Sequence, residues 1–257
     1  MIRVKNACVS FGGLKAVDDV SFDIPDGKIT GLIGPNGAGK TTMFNAIAGH
    51  VPLTSGRIML GDRDITNLPP HARAGLGLAR TFQIPQEFAH LTVLENLMAA
   101  ATLPAGENIF NVIFRRGHYA DAEREVFDAA WDMIGFLEIE AVAAEKAGNL
   151  SGGQKKLLEL GRALMRQPDI ILLDEIGAGI NRTLLAKIAD KIKQLNAERA
   201  LTFCLIEHDL GYVKSLCEEA IVLVQGRQLM RGSVDEVERD ERVIEAYFGG
   251  GKYEAAL

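Results

Sequence analysis

Long apolar runs are missing from this 257-residue chain. No stretch approaches the roughly 18 consecutive apolar residues that a membrane-spanning helix needs. The first residues, 1–6, also lack the apolar segment of a signal peptide. We therefore expect any association with a membrane to come through a partner protein.

Cysteine and positive charge are also scarce. The three cysteines, Cys8, Cys204 and Cys217, lie far apart and form no CxxC pair, so they predict neither a disulfide framework nor a zinc site. We expect them to be small buried apolar residues in a reducing compartment. The net charge of −6 argues against a broad surface for nucleic acid, and no nucleic-acid partner is predicted.

The chain is rich instead in alternating strand and helix patterns. Runs of β-branched residues predict strands at 2–10, 20–24, 28–33, 170–173, 202–207 and 220–224, with a hairpin turn at 225–227. Apolar periodicity and helix-end signals predict helices at 41–49, 120–136, 153–166 and 182–198. This alternation predicts a parallel sheet wrapped by helices, with an all-helical insertion near 85–149 and a loosely held tail after 248.

The strongest motif is a glycine-rich loop between a predicted strand and a predicted helix, Gly34 to Thr41, which matches GxxxxGK[ST]. Glycines let successive N–H groups point at phosphate oxygens, and the helix that starts at Lys40 adds its positive end. Lys40 is expected to reach the β- and γ-phosphates, and the Thr41 hydroxyl to bind Mg²⁺. The loop alone predicts nucleotide binding and leaves kinase, GTPase and ATPase open. The predicted ATP-binding residues here are Gly34, Pro35, Asn36, Gly37, Ala38, Gly39, Lys40, Thr41 and Thr42.

A pair of carboxylates follows an apolar strand further along the chain. The run 170–173 leads into Asp174 and Glu175, at the strand end where open α/β sheets bind ligands. Asp174 is predicted to hold Mg²⁺ through water, and Glu175 to polarise the attacking water as a general base. The alternative is an ordinary solvated acidic turn.

The segment Leu150-Ser-Gly-Gly-Gln154 opens the next predicted helix and forms a second potential anion site. At this point the chain resembles the ATP-binding-cassette (ABC) transporter family, whose signature is LSGGQ. The resemblance implies the α/β fold of a P-loop NTPase: a RecA-like core with an antiparallel β-subdomain and an inserted α-helical subdomain. The expected division is a catalytic core with β-subdomain at 1–84 and 150–248, a helical subdomain at 85–149, and a tail at 249–257.

The same resemblance assigns roles to further residues. Gln83 is similar to the family's glutamine that touches Mg²⁺, and His208 to the histidine that hydrogen-bonds the γ-phosphate, so the catalytic residues become Glu175 and His208. Phe11 resembles the aromatic residue that stacks on adenine, although a core or surface phenylalanine is the alternative. The signature segment is implied to contact ATP bound by a partner subunit, through Ser151, Gly152, Gly153 and Gln154.

Several segments are similar to importers of branched-chain amino acids in particular. These are the stretches 11–17, 79–83, 108–116, 178–181 and 243–249. Two residues depart from that group's pattern, because Ile176 and Arg182 stand where proline is usual. Importers of urea or amides and exporters of lipopolysaccharide share much of this pattern and remain alternatives.

The resemblance implies an ATP-hydrolysing transporter subunit with ATP and Mg²⁺ as cofactors, attached peripherally to the cytoplasmic face of a membrane. Its expected partners are a second ATPase subunit, two transmembrane permease subunits and a solute-binding protein. A soluble ATPase of DNA repair or translation is the alternative outside transport, but the chain lacks the second cassette, long insert or zinc motif typical of such proteins. The sequence names neither the cargo nor whether the working dimer pairs two copies or two paralogues.

Overall fold

A computed structural model describes residues 1–81, 87–101, 116–177 and 179–248, with the backbone alone for 116–120 and 248. The described residues form two compact units. The first unit draws on Met1–Arg80, Pro168–Ala178 and Ala189–Leu257, and the second on Thr81–Gln167 and Gly179–Ile188. Among the described residues, none of the helices combines the length and apolar content needed to cross a lipid bilayer.

The elements alternate along the chain. The strands are β1 Ile2–Phe11, β2 Leu14–Ile24, β3 Ile29–Ile33, β4 Ser55–Leu60, β5 Arg63–Asp64, β6 Leu78–Arg80, β7 Ile170–Asp174, β8 Thr202–Ile206, β9 Glu219–Val224 and β10 Arg227–Ser233. The helices are α1 Lys40–Ala48, α2 Pro70–Ala74, α3 Val93–Ala100, α4 Arg116–Leu137, α5 Gly152–Leu164, α6 Arg182–Arg199, α7 Leu210–Leu216, α8 Val234–Arg239 and α9 Glu241–Phe248.

A six-stranded sheet forms the centre of the first unit, in the order β10-β9-β3-β8-β7-β6. All strands run parallel except β10, which returns antiparallel to β9. Every residue of β3, β7 and β8 is buried, which explains why these strands are continuous apolar runs. The parallel sheet predicted from the sequence is confirmed, and the carboxyl ends of β3, β7 and β8 meet at one edge of it.

A second, antiparallel sheet of order β2-β1-β4-β5 completes the first unit. Strand β2 begins at Leu14, six residues before the predicted start, because the ladder continues past an irregular register near Asp19, whose φ is 54°. The predicted hairpin turn between β9 and β10 has positive φ at both Gln225 and Gly226, as two-residue hairpins require.

One buried arginine fixes the far end of α1. Arg73 donates from Nη1 to the carbonyls of Ala46 and Ile47, both at 2.6 Å, and from Nε and Nη2 to those of Leu68 and Thr66, both at 2.8 Å. These acceptors include the last carbonyls of the helix, where the helix dipole favours a cation. Arg73 therefore anchors the helix whose first turn follows the glycine-rich loop.

The second unit packs α3, α4 and α5 closely. A Cβ added at Gly161 of α5 would lie 2.6 Å from Leu137 Cδ1 and 2.9 Å from Leu97 Cδ2, so a larger residue there would displace the ends of these leucine side chains. Whether this unit acts as the separate helical subdomain expected from the sequence stays a prediction.

Two of the three cysteines are buried and one is half-buried. Burial raises the pKa of Cys217 to about 12 and that of Cys204 further still, so both thiols stay protonated at neutral pH. Cys204 and Cys217 thus pack as small apolar residues, as expected, whereas Cys8 is only half-buried.

Candidate functional site

The glycine-rich loop connects β3 to α1 at the carboxyl edge of the central sheet. Gly34 has a φ of 148°, and a Cβ there would collide with the carbonyl oxygen of Leu223. Gly39 has a φ of 95°, and its Cβ would collide with the carbonyl oxygen of Ala16. Two glycines of the motif are therefore required by close backbone contacts as well as by conformation.

The first turn of α1 suits an anion. Its N-cap, Gly39, makes no side-chain capping bond, so the first N–H groups of the helix are left for a ligand or solvent. Thr41, in this first turn, is exposed and Thr42 is half-buried. Of the other predicted loop residues, Ala38 is buried, Pro35 is half-buried, and Asn36 and Gly37 are exposed.

Lys40 points its ammonium back into the loop. Nζ donates to the carbonyls of Gly34 at 2.7 Å and Pro35 at 2.9 Å, and the residue is 5% exposed. Burial lowers the pKa of Lys40, and the nearby carboxylates of Glu175 and Asp174 oppose that shift. The loop lysine and the two carboxylates therefore lie close enough to interact electrostatically, as expected for residues that bind the phosphates and the cation of one nucleotide.

The two residues of the acidic pair, Asp174 and Glu175, lie in different environments at the end of β7. Asp174 is its last residue, and its side chain is 1% exposed and paired with Arg80, whose Nη2 lies 2.9 Å from Asp174 Oδ2. A buried carboxylate that interacts with the lysine of the phosphate loop, on the same sheet edge as the helix that bears Thr41, fits Mg²⁺, which takes few protein oxygens and several from phosphate and water.

Glu175 turns away from the strand. Its φ is 49°, in the left-handed region that non-glycine residues seldom adopt, and its N–H donates to the carbonyl of Ile206 at 3.0 Å. Its Oε1 lies 2.7 Å from Nε2 of His208, which follows β8. The two residues predicted to be catalytic are thus in direct contact, at the edge where the phosphate loop also lies. The strained backbone at Glu175 is typical of functional sites.

Glu207, between β8 and His208, has no role in the sequence-based interpretation. It is 6% exposed, and its Oε1 accepts the N–H of Gly177 at 2.8 Å. Together with the Glu175 N–H bond to Ile206, this contact ties residues 175–177 to the end of β8. Burial raises the pKa of Glu207, while the backbone N–H groups of Gly177 and His208 oppose the rise.

The raised pKa of Glu207 predicts how a Glu207→Gln variant responds to pH. The ionised Glu207 carboxylate is less favourable in the folded chain than in the unfolded chain. The contribution of Glu207 to the free energy of unfolding is therefore fully present below the ordinary glutamate pKa of 4.5 and is lost as pH rises through the folded pKa. Glutamine keeps an acceptor for Gly177 and removes this titration. We expect Glu207→Gln to be more stable than the wild type at pH 8, with a difference that shrinks toward pH 4.5, measured by urea unfolding.

The signature segment has a local structural basis in the second unit. Ser151 is the N-cap of α5: its Oγ accepts the Gln154 N–H at 3.4 Å, and Gln154 Oε1 accepts the Ser151 N–H at 2.9 Å. A Cβ at Gly153 would collide with Leu184, while one at Gly152 would meet nothing within 4 Å. Helix capping therefore explains Ser151 and Gln154, Gly153 lies against the end of the Leu184 side chain, and open space adjoins Gly152.

Of the remaining predicted residues, the structure describes Phe11 and Asn181 but not Gln83 or Ala178. Phe11 ends β1 and is 52% exposed, so it is not a core residue. The strand that pairs with it reaches the phosphate loop at Ala16, beside Gly39. Gln83 and Ala178 lie outside the described residues. Asn181 caps α6 by accepting the Leu184 N–H at 2.9 Å, and so places Arg182 at the first helical position.

A phosphate loop between a buried strand and a helix, with an acidic pair at the end of another parallel strand of the same sheet, defines the chain as a P-loop nucleotide-binding protein of the α/β class. The sequence profile of the ABC transporter family matches residues 17–178. The chain therefore belongs to the ABC transporter family, as its ATP-binding ATPase subunit, and the fold class predicted from the sequence is confirmed.

Individual relatives agree over almost the whole length. The probable branched-chain amino acid transport ATP-binding protein LivG of Archaeoglobus fulgidus is 35% identical over 249 residues, which cover 97% of this chain and 95% of the relative. The high-affinity branched-chain amino acid transport ATP-binding protein LivG of Escherichia coli K12 is 35% identical over 252 residues, covering 97% and 98%. The crystal structure of a nucleotide-free ATP-binding cassette from an ABC transporter matches with a TM-score of 0.84 at 36% identity, covering 97% of this chain and 99% of that one.

Proposed function

We propose that this chain hydrolyses Mg²⁺-bound ATP to power a transporter of branched-chain amino acids. The observation that carries the hydrolytic part is the 2.7 Å contact between Glu175 and His208 at the edge of the sheet that holds the phosphate loop. The names of relatives that are 35% identical over nearly the full length support the amino-acid cargo. Uptake of urea or amides and export of lipopolysaccharide are the alternatives within transport.

The positions of the described residues support the roles proposed for them, whereas the role of Gln83 rests on the family resemblance alone. Lys40 and the N–H groups of the loop and of the first turn of α1 bind the phosphates, with Phe11 available to stack on adenine. Thr41, Asp174 and Gln83 would hold Mg²⁺, which neutralises the charge that develops on the phosphates. Glu175 takes a proton from the attacking water, and His208 orients Glu175 and hydrogen-bonds the γ-phosphate.

The signature segment implies that the active unit is a dimer. Ser151 and the glycines after it begin a helix whose N-terminal N–H groups suit an anion, yet the chain already has one such site for its own nucleotide. A second ATPase subunit, either a copy or a paralogue, would present its own segment to this chain's ATP. Two permease subunits would hold the pair at the cytoplasmic face of the membrane, and a solute-binding protein would deliver the cargo.

The cargo is tested by reconstitution. The chain should co-purify from its native membrane with two permease subunits, and these complexes in vesicles loaded with ATP should take up labelled leucine when the cognate solute-binding protein is supplied. A Glu175→Gln complex is the matched control and should show no uptake. Uptake of urea but not leucine would replace the proposed cargo, and co-purification with ribosomes or DNA alone would exclude the transport role.

A further inference from the structure

Arg80 is the last residue of β6 and takes no part in the reaction proposed above. Its side chain is nevertheless 7% exposed and joins three elements of the first unit. Nη1 donates to Asn45 Oδ1 of α1 at 2.6 Å, and Nη2 donates to Asp174 Oδ2 of β7 at 2.9 Å. Arg80 is opposite Leu172 in the parallel ladder, so the side chain reaches two residues further along β7, toward the functional edge.

The contact with Asp174 restricts the carboxylate. The Asp174 side chain is 1% exposed, and Arg80 donates to its Oδ2 at 2.9 Å from a side chain that is itself 7% exposed. The planar guanidinium has a fixed donor geometry, so it limits how the carboxylate can turn. Without Arg80, the Asp174 carboxylate would lose the donor that fixes the direction of its oxygens.

The contact with Asn45 has a geometric consequence. Asn45 lies on the same helix as Thr41, one turn further along, so the guanidinium is held from α1 as well as from β6. The position of the Asp174 carboxylate is thereby set relative to the helix that bears the threonine hydroxyl. Residues from the two sides of the proposed magnesium site are connected through one side chain.

We propose that Arg80 is a positioning residue for divalent-cation binding: it holds the Asp174 carboxylate in a fixed orientation against α1. The inference rests on the proposed function, in which Asp174 holds Mg²⁺. It predicts that loss of Arg80 weakens the cooperation between nucleotide and cation, beyond any loss of stability.

The test measures how much Mg²⁺ tightens ADP binding. ADP affinity is determined by isothermal titration in excess Mg²⁺ and in a chelator, and the ratio of the two is the magnesium gain; ADP is used so that hydrolysis plays no part. We expect Arg80→Met to lower the magnesium gain about tenfold, as loss of a residue that orients a metal ligand typically does. Arg80→Lys, which keeps the charge and loses the planar fork, should lie between.

Two further variants separate positioning from stability. Arg73→Met removes another buried arginine of the same unit, one that donates to main-chain carbonyls, and it should lower the melting temperature while leaving the magnesium gain within about twofold of the wild type. Asn45→Ala preserves the Arg80–Asp174 pair and removes its anchor on α1. Asn45→Ala should reduce the magnesium gain severalfold, and it provides the test of the inference if Arg80→Met does not fold.

The possible results distinguish failure of the inference about Arg80 from failure of the proposed magnesium site. A normal magnesium gain in the folded Arg80→Met protein, or in Asn45→Ala where Arg80→Met is unfolded, overturns the inference while the proposed function stands. A larger gain also overturns it, because Arg80 would then be competing with the cation for Asp174. If the wild type shows no magnesium gain, the proposed magnesium site fails and the inference falls with it.

Discussion

Replacement of Glu175 by glutamine should lower steady-state ATP turnover at least about 100-fold, the usual loss when a general base is removed. Glutamine keeps the size of the side chain and an oxygen within reach of His208 Nε2, now 2.7 Å from Glu175 Oε1, but it cannot accept a proton from water. Nucleotide binding should survive, because the phosphate loop is untouched. Phosphate release measures turnover, and titration with ATP measures binding.

The same variant should accumulate as a dimer in ATP and not in ADP. If the two subunits enclose ATP and separate after hydrolysis, blocking hydrolysis holds the closed pair together. Adding Ser151→Arg to Glu175→Gln should abolish this dimer, since a large cation at the α5 N-cap obstructs the surface proposed to meet the ATP of the second subunit. Size-exclusion chromatography in ATP with Mg²⁺ distinguishes the two variants.

Glu207→Gln is the matched control for the chemistry. It makes the same change in a neighbouring buried glutamate whose oxygen accepts the Gly177 N–H, a bond that glutamine can also accept. Turnover should stay within a few-fold of the wild type. Turnover of Glu175→Gln at a similar level would falsify the assignment of Glu175 as the base.

The strands and helices around the site were predictable because their signals are local. A four-residue apolar run followed by two carboxylates, and a glycine loop between a strand and a helix, are recognisable from residues that are adjacent in the sequence. Resemblance to the ABC transporter family then supplied the order of motifs, and the family assignment is confirmed. The assigned roles of Phe11, Gln83 and the signature residues remain predictions.

Arg80 and Glu207 could not be found in this way. Strand β6 is only three residues long, too short for any periodicity, and it was not predicted. The Arg80–Asp174 pair joins residues 94 apart and depends on which strands are neighbours in the sheet. Glu207 could have been suspected from its place at the end of a buried strand, but its bond to the loop after Glu175 depends on the backbone turn there.

Gly34→Ala should be among the most destabilising single changes in the chain. The residue has a φ of 148°, and an added Cβ would strike the carbonyl oxygen of Leu223 in β9. Strand β9 cannot move away easily, because Ile33 and Val222 are paired in the central sheet. Backbone strain and overpacking of this kind each cost about 1–3 kcal/mol, so we expect a loss of about 3–5 kcal/mol in the free energy of unfolding.

Comparison with Gly37→Ala separates the steric contact at Gly34 from the conformational penalty as causes of the lost stability. Gly37 belongs to the same loop and has a φ of 78°, but a Cβ there would meet nothing within 4 Å. Only the conformational penalty remains, about 1–2 kcal/mol. Urea unfolding of both variants gives the difference, which measures the close contact between the phosphate loop and β9. Equal losses would mean that conformation alone requires glycine at position 34 and that the loop can move away from Leu223; ADP binding retained by Gly34→Ala would show that such movement preserves the phosphate site.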